Sequence, residues 1–191
     1  METLVVNTDA FEMTEVQFVK FCTENRDLRI ERDSNKQIFI MSPTFSFTGN
    51  FNTQIIFQLE NWNRKHKPGY VFDSSTGFTL PNKAMRSPDT SWIKKERWET
   101  LSREEKESFA PIWPDFIIEL KSKTDHLPAL KNKMQEWMQN GCCLGWLIDL
   151  EEKKVYVYNN EIEFSIVEFS QKTISGGGIL PGFELDLTEL H

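Results

Sequence analysis

The chain has 191 residues, of which 39% are hydrophobic and 13% aromatic, and a formal net charge of −7. This length predicts one domain, residues 1–191, with a substantial core. No window approaches the roughly 18 to 20 consecutive apolar residues of a membrane span, and the N-terminus lacks a basic region followed by an apolar one, which predicts a cytoplasmic protein with no membrane segment. The net acidity argues against a protein that grips nucleic acid over its whole surface.

The first half of the chain alternates helical and strand patterns. Residues 14–23 combine a Thr cap with helical spacing of apolar residues, which predicts a short helix. Segments 28–31 and 37–41 flank a polar turn and predict a hairpin. From 48 to about 65, the spacing of apolar residues predicts a long amphipathic helix.

The second half predicts further strands around one more helix. Short strands are predicted at 71–72 and 78–80, a longer one at 87–93, and an exposed helical insertion at 94–108. The apolar run 113–121 predicts a buried strand, and 127–138 an amphipathic helix that ends at Asn140-Gly141. Strands at 144–150, 155–158 and 164–167 and a Gly-rich loop at 175–182 follow. This order predicts an α/β (α+β) fold in which helices flank both faces of a central sheet.

The strand at 113–121 carries Glu119 and Lys121 two residues apart. Side chains alternate along a strand, so both are expected on one face, while Phe116, Ile118 and Leu120 face the core. Upstream, Asp89 is an acid that likewise lies in a strand, the one predicted at 87–93. The set formed by an Asp and a later Glu-x-Lys is typical of metal-dependent nucleases.

These residues have chemical roles in phosphodiester hydrolysis. Mg²⁺ (or Mn²⁺) prefers hard oxygen ligands and usually takes one or two carboxylates, which Asp89 and Glu119 would provide, with the Leu120 carbonyl as a third ligand. Lys121 lies about 6.6 Å along the strand from Glu119. Its ammonium would position the attacking water or stabilise charge on the phosphate, and the sequence does not choose between a base and a charge stabiliser.

Two basic segments, 83–97 and 121–133, flank these acids. Phosphate contacts dominate the affinity of proteins for nucleic acid, so basic residues beside a carboxylate pair are what a phosphodiester substrate needs. The candidates for nucleic-acid binding are Arg86, Lys94, Lys95, Lys123 and Lys131. The alternative is that these are solvated surface side chains.

Several motifs resemble those of the Uma-type putative restriction endonuclease family, in the PD-(D/E)XK (restriction endonuclease-like) nuclease superfamily. The resemblance extends from about residue 14 to 187. The motifs that carry it are Ser42-Pro-Thr, Val71-Phe-Asp-Ser-Ser-Thr-Gly-Phe78, Arg86-Ser-Pro-Asp-Thr-Ser-Trp92, Pro114-Asp-Phe-Ile-Ile-Glu119, Gly145-Trp-Leu-Ile-Asp149 and Leu180-Pro-Gly-Phe183. The resemblance implies a restriction endonuclease-like core, a mixed sheet with an N-terminal helix and hairpin and a C-terminal strand extension. It also implies that Asp89 and Glu119 bind metal and that Lys121 takes the lysine position.

Four further residues are candidates for additional or supporting roles. Asp115 shares the face of Glu119, but four residues place it about 13 Å away, which favours a role at the entry of the strand or behind the metal ligands. Glu31 and Asp73 are carboxylates that would approach the metal from the hairpin and from the first core strand. Lys133 shares a helix face with Trp137, where related nucleases often place a polar residue and an aromatic.

Three functions are compatible with this pattern. The favoured one is a Mg²⁺-dependent DNA endonuclease that acts as a homodimer to cut both strands. The second is a catalytically silent protein of the same fold that binds nucleic acid or a protein partner. The third, an interaction domain unrelated to nucleic acid, rests on the acidic C-terminal part and predicts no salt-dependent affinity for DNA.

Overall fold

Five α-helices lie in the part of the chain that the computed structural model describes, residues 3–6, 13–159 and 164–190. They are α1 (Glu15–Glu24), α2 (Ser46–His66), α3 (Lys95–Trp98), α4 (Arg103–Lys106) and α5 (Leu127–Gln139). A capping box formed by Thr14 and Gln17 begins α1, as the Thr cap predicts. None of these described helices combines the length and the apolarity that crossing a bilayer requires.

The described strands form a six-stranded sheet, a five-stranded sheet and a separate hairpin. In chain order they are β1 (Thr3–Val6), β2 (Arg29–Arg32), β3 (Ile38–Met41), β4 (Gly69–Asp73), β5 (Phe78–Thr79), β6 (Met85–Arg86), β7 (Thr90–Lys94), β8 (Phe116–Lys121), β9 (Leu144–Asp149), β10 (Lys154–Tyr158), β11 (Ser165–Glu168), β12 (Thr173–Ser175) and β13 (Glu184–Asp186). The six-stranded sheet has the order β11-β10-β9-β8-β7-β4, and the five-stranded sheet has the order β1-β3-β2-β6-β5.

The central six-stranded sheet is mixed. β8 and β9 are parallel, whereas its other neighbouring strands are antiparallel. Two parallel strands need a crossover, and α5 supplies it. The predicted fold, a mixed central sheet flanked by helices, is therefore confirmed.

Helices cover both faces of this sheet. On one face α2 places Phe51, Ile55 and Leu59 in a core cluster with Phe116 and Trp146. On the other face α5 places Met134 and Trp137 in a second cluster with Ile117 and Leu147. Every residue of β8 is consequently buried, including Glu119 and Lys121, which the alternation pattern places on the side away from the core.

Several local predictions differ from the structure. The strand predicted at 87–93 begins only at Thr90, because Pro88 has no backbone N–H to donate to a ladder. The insertion at 94–108 forms two four-residue helices, α3 and α4, since Ser102 begins a second helix with its own capping box. Strands β1, β12 and β13 were not predicted. The hairpin at 28–41 is confirmed as β2 and β3.

Candidate active site

Asp89 lies immediately before β7 and reaches the neighbouring strand with its side chain. Its Oδ2 accepts a hydrogen bond of 2.8 Å from the backbone N–H of Leu120. The register of β7 and β8 pairs Thr90 with Ile118, so the Asp89 carboxylate continues this pairing where the β7 backbone turns away. Its Oδ1 accepts a weaker contact of 3.4 Å from Arg29 on β2. Asp89 is thus fixed beside the residue that follows Glu119.

Glu119 points from β8 towards α5 and is 3% exposed. Both donors that the structure describes for it reach the same oxygen, Oε1: the indole Nε1 of Trp137 at 3.2 Å and the ammonium of Lys133 at 2.9 Å. Trp137 is fully buried, so this core residue also orients the carboxylate. Asp89 and Glu119 both line one cavity, and their joint binding of a metal stays a prediction.

Glu31 is the third carboxylate of the site, and together Glu31, Asp89 and Glu119 are termed the acidic cluster below. Glu31 lies on β2 and is 2% exposed. It accepts hydrogen bonds from the backbone N–H of Ser87 at 3.1 Å and from Arg86 Nη1 at 3.2 Å. The five-stranded sheet therefore brings its own acid to the edge of the central sheet.

Lys133 joins two members of the acidic cluster. Its Nζ lies 2.9 Å from Oε1 of Glu31 and 2.9 Å from Oε1 of Glu119, and 3.4 Å from the carbonyl oxygen of Ser87. Arg86 extends the network, because its Nε donates to Glu136 of α5 at 2.6 Å. α5 is thus connected to both sheets through buried charges.

Burial and neighbouring charges act differently on the three ionisable groups. Burial raises the pKa of Glu119 to about 7; the ammonium of Lys133 opposes this increase, and the negative charges of Asp89 and Glu31 add to it. For Glu31, burial also favours the neutral acid, but Lys133 and Arg86 outweigh it and lower the pKa. The pKa of Lys133 is raised, because Glu119 and Glu31 outweigh the effect of burial. Burial and the two neighbouring acids therefore favour the protonated form of Glu119.

Lys121 does not reach the acidic cluster. Its Nζ lies 3.4 Å from Asp149, its register partner on the parallel strand β9, and 3.4 Å from Glu151. Asp149 is 1% exposed and also accepts hydrogen bonds from the backbone N–H groups of Glu151 and Glu152. Lys121 therefore lies where it neutralises a buried turn, and Lys133 from α5 occupies the position beside Glu119.

Asp115 and Asp73 stabilise the local structure around the central sheet. The carboxylate of Asp115 accepts a hydrogen bond from the backbone N–H of Lys94 at 2.9 Å and pairs with Arg97 at 3.0 Å, so it ties the end of β7 to the entry of β8. Asp73 accepts hydrogen bonds from the backbone N–H and the hydroxyl of Ser75 and stabilises the turn after β4. Neither lines the cavity of the site.

The five candidates for nucleic-acid binding are dispersed. Arg86 is buried in the network with Glu31 and Glu136. Lys131 lies over the rings of Tyr156 and Phe164, 4.5 Å from each ring centre.

The other three lie nearer the surface. Lys95 pairs with Glu99 at 3.7 Å within α3, Lys94 is partly buried at the end of β7, and Lys123 is exposed after β8. The structure therefore does not bring these five side chains together.

Residues that the sequence did not single out complete the site. Arg29 and Glu31 lie two residues apart on β2 and therefore share one face of the strand. The same reasoning paired Glu119 with Lys121. Asp149 closes an apolar strand in the way that Asp89 opens one. Glu136 carries no signal, because its partner Arg86 is distant in sequence.

The acidic cluster opens into a cavity of about 670 Å³. Charged residues on its wall include Arg29, Glu31, Arg86, Asp89, Glu119 and Lys133. Within the described ranges, no group of three His, Cys, Asp or Glu side chains has the arrangement of a metal site.

The donor set nevertheless suits a hard cation that takes few protein ligands. Mg²⁺ usually keeps several waters and binds one or two carboxylates. The oxygen Oε2 of Glu119 is not the one that Trp137 and Lys133 contact, and Asp89 Oδ1 has only the 3.4 Å contact with Arg29. In an antiparallel pair a residue directs its N–H and C=O to the same neighbour, so the Leu120 carbonyl faces the side of Asp89.

The fold places the protein in the class of nuclease folds. It is similar to a crystal structure from Anabaena variabilis ATCC 29413 described as a putative nuclease belonging to DUF820, with a TM-score of 0.71 and 19% sequence identity, covering 84% of this chain and 88% of that chain. The family profile described as "Uma2: Putative restriction endonuclease" matches residues 16–188. The chain therefore belongs to the Uma2 family, as its motifs predict. A search of curated proteins found no match.

Proposed function

We propose that the protein is a Mg²⁺- or Mn²⁺-dependent DNA endonuclease in which Asp89 and Glu119 hold the metal. The observation that supports this most strongly is the convergence of both acids at one cavity, with Asp89 bonded to the backbone beside Glu119. A bound divalent ion would supply charge neutralisation on the phosphate and activation of a water. Membership of the Uma2 family, whose description is "Putative restriction endonuclease", supports the same reaction.

Lys133, and not Lys121, takes the lysine role in this proposal. An ammonium acts on a phosphate through its position and charge, and Lys133 is on the cavity wall within 2.9 Å of Glu119. Lys133 orients Glu119 through Oε1 and presents positive charge to the phosphate. Trp137 holds the same carboxylate from the core side, and Arg29 holds Asp89.

Metal-dependent cleavage tests the proposal. Purified protein is incubated with supercoiled plasmid and with linear single-stranded and duplex DNA, in Mg²⁺, Mn²⁺ or EDTA. We expect cleavage only with a divalent ion, and a loss of about 100-fold or more in Asp89→Asn and Glu119→Gln, as is typical when a charge-stabilising group is removed. Equal cleavage by both variants and the wild type would contradict the assignment.

A second candidate function is binding without cleavage. Lys133 already neutralises Glu31 and Glu119, so the cluster has a cationic partner of its own. Titration calorimetry with Mg²⁺ and Mn²⁺ separates the two functions: heat of binding that disappears in Asp89→Asn supports the nuclease, and the absence of this heat in the wild type supports a binding protein.

Homodimerisation, which would supply a second site for the complementary strand, is also proposed and is tested by sedimentation.

A further inference from the structure

Two exposed phenylalanines flank the cavity at the start of α2. Phe45 is the N-cap residue of α2 and Phe47 lies in its first turn, and the side chain of each is 64% exposed. Their chain neighbours Thr44 and Thr48 line the cavity that contains the acidic cluster. Phe47 is supported from below, because its ring packs edge-on against buried Phe51 with a centroid distance of 4.6 Å. Two exposed aromatic residues thus lie next in the chain to residues of the cavity wall.

The cavity wall has little free positive charge. Six carboxylates line it, against three Arg or Lys residues. Each of these three basic side chains is paired with a carboxylate: Arg29 with Asp89, Arg86 with Glu31 and Glu136, and Lys133 with Glu31 and Glu119. A duplex is held mainly through phosphate contacts to Lys and Arg. Apart from Lys133, the described wall offers a duplex few contacts of this kind.

The same wall offers apolar surface. Val5, Phe39, Met41 and Leu130 contribute to it, in addition to the polar residues. The ring of Phe39 has the guanidinium of Arg86 5.2 Å from its centre, which fixes it close to the acidic cluster. One aromatic ring therefore lies on the cavity wall, and two exposed ones lie at the adjoining start of α2.

The size of the cavity favours a slender ligand. About 670 Å³ lies within the range of roughly 300–1,000 Å³ typical of sites that enclose small molecules. Recognition of a duplex instead buries about 1,000–2,500 Å² of an open protein surface. An individual nucleotide of an unpaired strand suits a pocket of this volume.

We propose, resting on the nuclease function above, that the site takes an unpaired strand of nucleic acid whose bases stack on Phe45 and Phe47. Every base has a π-face, so stacking on exposed aromatic rings binds single strands with little dependence on sequence. It also needs fewer phosphate contacts, which suits a chain with a net charge of −7. The stacked bases would lead the strand into the cavity, where its phosphate would face Lys133 and the divalent ion that Asp89 and Glu119 would hold. One copy of the protein suffices for such a substrate.

Binding in EDTA tests this substrate class independently of cleavage. Fluorescence anisotropy compares a labelled oligothymidine, an oligomer of the same length with abasic sites at every position but the labelled end, and a duplex of equal length. The variants are Phe45→Ala and Phe47→Ala. Phe57→Ala is the matched control, because Phe57 is also 64% exposed on α2 but lies about two and a half turns after Thr48, on the opposite side of the helix.

We expect the oligothymidine to bind more tightly than the duplex and the abasic oligomer. Each of Phe45→Ala and Phe47→Ala should weaken its binding about 5-fold or more, the loss expected for one stacked base. Phe57→Ala should bind like the wild type. Because all three rings are mostly exposed, each variant should remain folded at the assay temperature, and circular dichroism checks this.

Two binding results would overturn the inference: a duplex bound as tightly as the single strand, or equal affinities for the Phe45, Phe47 and Phe57 variants. A dimer in sedimentation that Phe47→Ala dissociates would also overturn it, because a second copy would then cover these rings. Failure of the nuclease function is distinguishable. Stacking-dependent binding without any metal-dependent cleavage supports the inference on the ligand and rejects the nuclease. Metal-dependent cleavage that is unchanged in Phe45→Ala and Phe47→Ala supports the nuclease and rejects the inference on the ligand.

Discussion

Lys133 donates from the middle of α5 to Oε1 of Glu119 over 2.9 Å, so a helix supplies the lysine beside a carboxylate of the central sheet. The strand lysine, Lys121, lies on the same face of β8 but pairs with Asp149. The two lysines can therefore be tested against each other.

Substitution of the two lysines should affect cleavage differently. We expect Lys133→Gln to lower the rate about 100-fold or more, because it removes the charge beside Glu119 and the phosphate. Lys121→Gln should retain most of the activity per folded molecule. Plasmid cleavage at saturating Mg²⁺ measures both, and circular dichroism normalises for folding, since each substitution leaves a buried carboxylate without its partner. An inactive Lys121 variant beside an active Lys133 variant would reverse the assignment.

The stability of the protein should depend on the ionisation of Glu119. Its folded pKa is raised from 4.5 to about 7, so between these values unfolding releases a proton and the stability falls as the pH rises. The neutral Gln side chain of Glu119→Gln resembles the protonated acid, so the stability of this variant does not fall over the same pH range. At one pKa unit per 1.36 kcal/mol, we expect the variant to gain on the order of 1–3 kcal/mol over the wild type at pH 8 and almost nothing near pH 4. Urea denaturation in EDTA across this range measures the difference; parallel curves for the two proteins would refute it.

The network around Arg86 should contribute more to stability than a surface ion pair of similar length. Arg86 is mostly buried between Glu31 and Glu136, whereas Arg103 at the start of α4 forms an exposed pair at 2.8 Å with Glu107, the residue after its end. Arg86→Met removes one cationic partner from each of Glu31 and Glu136 and should cost about 3–5 kcal/mol. Arg103→Met should cost less than about 1 kcal/mol. Urea denaturation at pH 7.5 compares the two, and equal losses would show that burial of the network adds nothing.

Two Pro-Asp sequences should differ in function. Asp115 pairs with Arg97 and with the backbone of Lys94, far from the cavity wall, whereas Asp89 lies on it. We expect Asp115→Asn to reduce the unfolding temperature but to preserve metal-dependent cleavage per folded molecule. Asp89→Asn should abolish cleavage. Full inactivation of Asp115→Asn without loss of stability would place Asp115 in the catalytic site.

The sequence predicts those parts of the site that follow from strand periodicity. Asp89 lies immediately before β7 and Glu119 lies on the neighbouring strand β8, where alternation places its side chain. The position of Lys121 was harder to predict, since Asp149 becomes its neighbour only when β9 adds to β8 in parallel register. The role of Lys133 depends on how α5 crosses the sheet, which the apolar spacing of the helix does not specify.

The remaining misses have a similar origin. β12 and β13 are three-residue strands beside a Gly- and Pro-rich segment, so their own sequence carries little strand signal. They form because Ile174 and Leu185 are buried in the core cluster that contains α2. Tertiary packing, which no local pattern encodes, determines both these strands and the contacts of the lysines.

The contact of Trp137 with Glu119 gives the protein an internal spectroscopic probe. The indole N–H of Trp137 donates directly to the carboxylate at 3.2 Å, and only six tryptophans occur in the chain. The indole proton of Trp137 should therefore have a distinct NMR resonance whose chemical shift follows any change in the charge or geometry of Glu119. Occupancy of the acidic cluster could be followed at this resonance without a label on the substrate.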